Sequence, residues 1–306
     1  MTSSEKRAIA LILGILIFAL AAAFAVLGGF FLAGRLADER NAELVDTKSE
    51  LYVAVSSGDY EKVEAILSRR PEAVNEARAE NPTEYGKAMN DDTLLIAAGD
   101  DVKMIELLIE HGADVNKPTP ITSRYPITQV LAGGGKNRFE AAWVYVNNGA
   151  DLCVTDAEAG SVPVAIASVF IENGAENALL QLSAKDLMEY AVNSGASLKI
   201  ESATDYEVTN VFGLAIENNL YMTAEYFVTA DIFSPNTRVT ADGRTPLIEA
   251  ICCTRVDITD MLLENGADPY VSDNNGKNAF YYLLHLPEGN LVREAVEKYK
   301  AGGGAK

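Results

Sequence analysis

The residues of this 306-residue chain best suited to chemistry are few: Cys153, Cys252 and Cys253, His111 and His285, and the run Gly133-Gly134-Gly135-Lys136-Asn137. Adjacent Cys252 and Cys253 can be oxidised together only in a strained ring, so the sequence predicts two ordinary, half-buried thiols. Three cysteines make no disulfide framework, and neither histidine stands at ligand spacing from them, so no metal site is expected. His111 precedes Gly112, where a polar side chain meets helix-end carbonyls. His285 has no serine or cysteine nucleophile at recognisable spacing. A phosphate cradle needs Ser or Thr after its lysine and a strand before its glycines, so Gly133 to Asn137 reads as a turn. With 44 acidic residues, no carboxylate pair stands out as acid and base. The sequence thus nominates no catalytic residue, no metal ligand and no cofactor, and predicts a protein that is not an enzyme. An enzyme would require a polar pocket hidden by the register of the chain's repeats.

Any site on this chain would be held by a recurring unit. Thr245-Pro246-Leu247-Ile248-Glu249-Ala250-Ile251 precedes Met261-Leu262-Leu263-Glu264-Asn265-Gly266-Ala267-Asp268-Pro269 at short range. Asp242-Gly243 suits a turn, Thr245 bonds local backbone, and Pro246 fixes φ in a first helical turn where its missing N–H costs nothing. Small residues such as Ala97, Ala98 and Ala250 let helices approach, Met261, Leu262 and Leu263 form an apolar face, and Gly266 ends the second helix. The first-helix position recurs at Ala54, Ala97, Val130, Ala167, Ala215, Ala250 and Leu283, mostly one unit or one unit plus an insertion apart. The closing phrase recurs at His111-Gly112-Ala113-Asp114-Val115-Asn116, Asn148-Gly149-Ala150-Asp151 and Ser194-Gly195-Ala196-Ser197. In the fifth unit the matching stretch is Ala230-Asp231-Ile232-Phe233, so that unit rests on spacing and apolar pattern.

These phrases resemble the ankyrin repeat, with its T-P-L-H-x-A-A and L-L-L-x-x-G-A-D-x-N forms, over about residues 49 to 300. The resemblance implies an all-α ankyrin-repeat solenoid of about seven helix-pair units, with a first and a last unit acting as caps. Such stacks bind partners. In the family, finger tips and the exposed face of the first helices line a groove; carried onto this chain, the outward first-helix sites are Ile96, Gln129, Ile166, Leu214, Glu249 and Tyr282. Insertions at Glu76 to Asn90, Asp114 to Pro126, Asn173 to Ser183 and Ser197 to Asn210 lengthen connections on that scaffold. The partner-binding set expected from these positions is Arg124, Tyr125, Gln129, Arg244, Glu249, Asn275, Lys277 and Tyr282, with Arg244, Asn275 and Lys277 near finger tips and Tyr125, Gln129, Glu249 and Tyr282 facing out.

Residues 8–34 carry no charged side chain until Arg35 follows, a run longer than the roughly 20 residues a bilayer span needs. One transmembrane helix is therefore expected to precede the array. The rival is a cleaved signal peptide with Ala23-Phe24-Ala25 as its cleavage site, although Val26, Leu27, Phe30, Phe31 and Leu32 prolong the apolar run past it. The domain reading is residues 1–7 as a tail, 8–34 as the span, 35–48 as a stalk, 49–300 as the array and 301–306 as a disordered tail. Lys6 and Arg7 before the span, against Arg35 and Arg40 after it, favour a cytoplasmic N-terminus and an array outside. The net charge is -19. Such acidity repels nucleic acid and suits a basic protein partner, a toxin or enzyme against which the chain protects; it also serves plain solubility. Ala21, Ala25 and Gly29 stand at small-xxx-small spacing, which fits self-association of the span and a structural assembly protein instead.

Overall fold

The computed structural model describes residues 50–76, 92–169, 177–200 and 207–301. The chain divides at Val53 into Met1–Val53 and Ala54–Lys306, and the helical array belongs to the second unit apart from the start of its first helix. Fourteen helices among the described residues form seven pairs: α1 (50–56) and α2 (Tyr60–Leu67); α3 (Leu94–Ala97) and α4 (Val102–Glu110); α5 (Pro126–Ala132) and α6 (Arg138–Asn147); α7 (Val162–Ala167) and α8 (Ala178–Asn193); α9 (Val211–Glu217) and α10 (Tyr221–Thr229); α11 (Pro246–Cys252) and α12 (Val256–Glu264); α13 (Ala279–Leu283) and α14 (Leu291–Ala301). The only β-ladder in the described residues is the small antiparallel hairpin Thr155–Asp156 with Gly160–Ser161 (β1, β2).

Local chemistry explains where these helices begin. Thr93, Ser161 and Thr245 each accept, through the side-chain oxygen, the amide three residues on, which caps α3, α7 and α11. Asn210 and Asn278 do the same for α9 and α13. Asp59 and Asp101 cap the second helices α2 and α4. Pro126, Pro163 and Pro246 occupy first turns, where no amide is missed. Short helices of four to seven residues are too few in turns to stand alone, so their stability comes from packing.

That packing forms two rows. First helices α3, α5, α7, α9, α11 and α13 touch one another in chain order, second helices α2 to α14 do likewise, and partners within pairs two to six close the layers together. Leu108, Leu131, Leu187, Ile216, Phe227, Ile251 and Leu262, none more than a trace exposed, lie between them. The Tyr145 hydroxyl on α6 donates to the Leu95 carbonyl of the preceding unit at 3.2 Å, a buried tie. Trp143 on α6 stands edge-on to Tyr190 on α8, ring centroids 5.7 Å apart.

Second helices end alike. Gly112, Gly149, Gly195 and Gly266 have φ of 86°, 82°, 86° and 88°, and the residue after each donates back six-to-one, as Ala113 does to Leu108. In the fifth pair Asp231 takes this place at φ 55°, and Ile232 donates to Phe227. Aspartate tolerates the left-handed region, so the fifth unit is a true member of the series without its glycine. At three joints an asparagine beyond the end of a second helix clamps the next unit. Asn75 donates to Gly112 O at 2.8 Å and accepts from Asp114 N at 2.8 Å; Asn116 does so with Gly149 O and Asp151 N at 2.9 and 2.7 Å; Asn236 with Gly266 O and Asp268 N at 3.1 and 2.7 Å.

Several sequence expectations need correction. Ala178 to Ser183, read as part of a loop insertion, belong to α8, because Gln181 is drawn in to bond Asn219 O and Met222 N of the next unit. Ala301 closes α14, so the array extends one residue further than expected. Among the described residues no helix is long and apolar enough to cross a membrane. The expected span at 8–34, with Ala21, Ala25 and Gly29, lies outside them, as do the tail at 1–7, the stalk at 35–48 and residues 302–306. The glycine run sits between α5 and α6 as a turn. Gly134 has φ 77°, and a Cβ on Gly135 would strike the Asp100 carboxylate.

Candidate functional site

The eight residues expected to bind a partner fall into two clusters rather than one line. The first surrounds the finger between α4 and α5. Arg124 Nη2 meets Asp92 at 2.6 Å and its Nη1 lies 4.0 Å from Glu158, while its Nε donates to Thr122. Tyr125 N donates to Asp156 Oδ2 at 2.8 Å, and Gln129 Nε2 donates to the same oxygen at 3.1 Å. Thr128 Oγ1 joins them at 2.6 Å, and Glu158 N and Ala159 N fill Oδ1. Burial raises the Asp156 carboxyl, but hydrogen bonds from Thr128 and three backbone amides outweigh it and hold it below the usual range. Asp156, only 3% exposed, is therefore the organiser of this cluster, and sequence reading passed over it. The available signal was an acid five residues before the cap Ser161, matched by Asp273 before Asn278.

The second cluster joins units five to seven. Arg244 lies at the end of the finger before α11, with Nε 3.0 Å from Asp242, Nη1 3.2 Å from Glu249 and Nη2 3.4 Å from Glu207. Glu249 does not face out as expected: it is 3% exposed, because Arg244 folds over it and Cys253 Sγ donates to its other oxygen at 3.4 Å. Burial lowers the Arg244 guanidinium, yet Glu249 and Asp242 raise it further, so it stays charged. Glu217, the last residue of α9, is half-buried; burial and the charges of Glu249 and Glu207 push its carboxyl up to about 7 against the pull of Arg244. Tyr282 donates to Asp273 Oδ2 at 2.6 Å, and burial with that bond raises its phenol. Asn275 N and Lys277 N close on Asp273 Oδ1 at 2.8 and 2.9 Å. Asn275 itself is exposed, and Lys277 Nζ lies 4.6 Å over the Tyr281 ring.

Between the clusters the expected line of contacts is broken. Ile166 and Leu214 are buried, not outward, because α7 and α9 are enclosed by first helices on both sides and by finger residues above. The approach is so close that a Cβ on Gly213 would lie 2.7 Å from Val208 Cγ1. Ile96 keeps partial exposure. Cys252 is exposed and Cys253 half-buried. Burial and Glu249 push the thiols up to about 11 and about 12, so both stay protonated and weakly nucleophilic at neutral pH. His111 does not bond the carbonyls ending its own helix; its Nε2 reaches Glu64 of the preceding unit at 2.8 Å. Among the described residues no group of three or more His, Cys, Asp or Glu is arranged to hold a metal ion. The arrangement offers fixed charge and hydrogen-bonding groups.

Residues 90–120 and 242–274 match the family model for the ankyrin repeat. No curated protein matches the chain. Among solved structures, the ankyrin repeat domain of human ASB11 is similar at 16% identity over 81% of this chain and 96% of that one, with a TM-score of 0.53. The structure of the Bd0816 predatory endopeptidase from Bdellovibrio bacteriovorus in complex with immunity protein Bd3460 contains a chain similar at 20% identity, covering 67% of this chain and 97% of that one, with a TM-score of 0.49. The likeness to the ASB11 domain is one of fold: an all-α stack of ankyrin-type helix pairs.

Proposed function

We propose that this chain is a binding scaffold with no catalytic residue of its own, which docks a basic protein partner on the finger and first-helix face of units five to seven. The carrying observation is the set of charges there: Glu207, Glu217, Asp242 and Glu249 gather about the Arg244 guanidinium, while the neighbouring Arg238 and Arg255 are turned to the backbone carbonyls of Gly243, Ser272, Ile216 and Glu217. The excess carboxylate is only partly neutralised inside the molecule and would attract a cationic surface. Charge across the whole chain, at -19, has the same sign. In the finer form of this proposal the partner is a basic toxin or enzyme met near a membrane, and residues 8–34 anchor the array on the extracytoplasmic side.

Crosslinking capture with the full chain tests the first part. Glu207, whose side chain is 78% exposed, is the residue to reverse, because Glu207→Lys changes the field with little effect on packing. Binding to a recovered basic partner is expected to weaken and to associate more slowly in added salt, across a Debye length of about 8 Å. Reversal of Glu106, Glu110 and Glu264, exposed on the second-helix side, is the control. Equal losses from both would reduce the effect to general electrostatics. Recovery of nothing but the chain itself would favour assembly through Ala21, Ala25 and Gly29. Anchoring predicts retention in the membrane fraction through carbonate washing; a soluble product starting near Val26 would mean a cleaved signal peptide.

A further inference from the structure

The joint between units three and four is built unlike its neighbours. At the joints one-two, two-three and five-six an asparagine side chain both donates to the next unit's glycine carbonyl and accepts from its following aspartate amide. At joint three-four the same position is Cys153, exposed, whose thiol makes one hydrogen bond among the described residues, 3.3 Å to Ser194 O. A thiol is a weak donor, and no described amide of unit four closes on it. The turn that presents it is intact, since Cys153 N still donates to Asp151 Oδ1 as Asn116 N does to Asp114. Only the clamp has been lost. Joint four-five also lacks the asparagine, with Lys199 in its place, but Gln181 bonds Asn219 O and Met222 N across it, and Asn218 Nδ2 bonds Ala167 O.

Two further features gather at joint three-four. On the finger side it is pinned: Asp156, leading into unit four, holds Tyr125, Thr128 and Gln129 of unit three. Opposite the pin the second helices meet through Trp143 and the half-exposed Tyr190, an edge contact without a hydrogen bond.

We propose that the array flexes at this joint, turning about the Asp156 pin while the ends of α6 and α8 part at Cys153. The motion changes the angle between the Arg124–Tyr125–Gln129 cluster and the Arg244–Glu249–Tyr282 cluster, so a partner that reaches beyond units five to seven to the first cluster selects one setting. That consequence rests on the binding reading and extends it; the flexing does not.

The test is amide hydrogen exchange on the full chain without partner. Replacing a two-bond asparagine clamp by one weak thiol bond is worth roughly tenfold in local opening. Gly195 and Ala196 are expected to exchange about tenfold faster than Gly112 and Ala113 or Gly266 and Ala267. Cys153→Asn should slow them about tenfold. Asn116→Ala should speed Gly149 and Ala150 by the same factor and so create a second loose joint. Equal protection at all four helix ends in the native chain overturns the proposal, as does Cys153→Asn leaving the rates unchanged. The exchange of Asn116→Ala gives an independent answer should the asparagine variant fold poorly: no loss of protection there means that the clamp does not hold joints shut. Unaltered partner affinity in Cys153→Asn, with slowed exchange, removes the link to binding and leaves the flexing in place.

Discussion

Glu249→Ala separates the structural view of the groove from the one read off the sequence, in which this side chain faced out and was free to change. The carboxylate is buried and accepts from Arg244 Nη1 and Cys253 Sγ. A hydrogen bond to a charged group contributes about 1.5–3 kcal/mol, whereas a fully orphaned buried charge costs about 3–5 kcal/mol. Arg244 keeps Asp242 and Glu207 and remains 20% exposed, so the lower range applies. Loss of repulsion on Glu217 offsets a part of it. By the relation of about 1.4 kcal/mol per decade, the expected net cost of about 1.5–3 kcal/mol speeds local opening of α11 roughly 10- to 150-fold. Hydrogen exchange at Cys253 N and Arg255 N reads this directly, and contacts between nearest neighbours confine the effect largely to units five to seven. Glu207→Lys, at an exposed carboxylate of the same cluster, should change those rates by less than about threefold. A double cycle with Arg244→Ala should return a coupling of about 1–2 kcal/mol. Unchanged exchange of α11 in Glu249→Ala, or equal effects of the two glutamates, would refute the assignment of Glu249 to the packed framework.

Three more outcomes are expected. Asp156→Ala strips five hydrogen bonds from a buried carboxylate and should cost about 3 kcal/mol, seen as early melting of units three and four; because the native carboxyl lies below its ordinary range, its contribution is present above that range and fades as pH falls through the lowered value. Glu217 is shifted the other way, from 4.5 to about 7, so the folded state binds the extra proton and stability from this group falls as pH rises from 4.5 to 7; Glu217→Gln should flatten that limb and stabilise the array above pH 7 in pH-dependent thermal unfolding. Leu262→Ala, at a fully buried position of α12, should cost about 2–5 kcal/mol and loosen α10 and α14 first, and undiminished exchange protection of both would contradict the register of the last units.

The stack was legible because its punctuation is chemical. Thr245 and Pro246, Gly266 and the small alanines each have one conformational task, and all fall where the spacing put them. The fifth unit was legible only by its spacing, since Asp231 reaches the left-handed region without the glycine that marks it elsewhere. The site was less legible because outward position on one helix says nothing about what folds over it. Glu249 was assigned to the surface by helical register, and Arg244, five residues earlier, covers it. Ile166 and Leu214 failed for a related reason: finger residues close over the first helices, as Val208 and Val239 do at Gly213, the neighbour of Leu214. Of the clamp asparagines, Asn116 was visible as the last letter of a closing phrase, whereas Asn75 and Asn236 stood outside those phrases. The clamping role was not visible, since the two bonds of Asn116 end 33 and 35 residues away.

Trp143 is the chain's single tryptophan, and its edge-on neighbour Tyr190 belongs to the next unit. Indole emission depends on the polarity and proximity of the groups around the ring, so the colour and yield of this one fluorophore report on a single joint against a background of silent ones. The protein thus carries its own optical probe where α6 meets α8. A partner that closes or opens that joint would announce itself in an unlabelled sample, while one that settles wholly on units five to seven would leave the light unchanged.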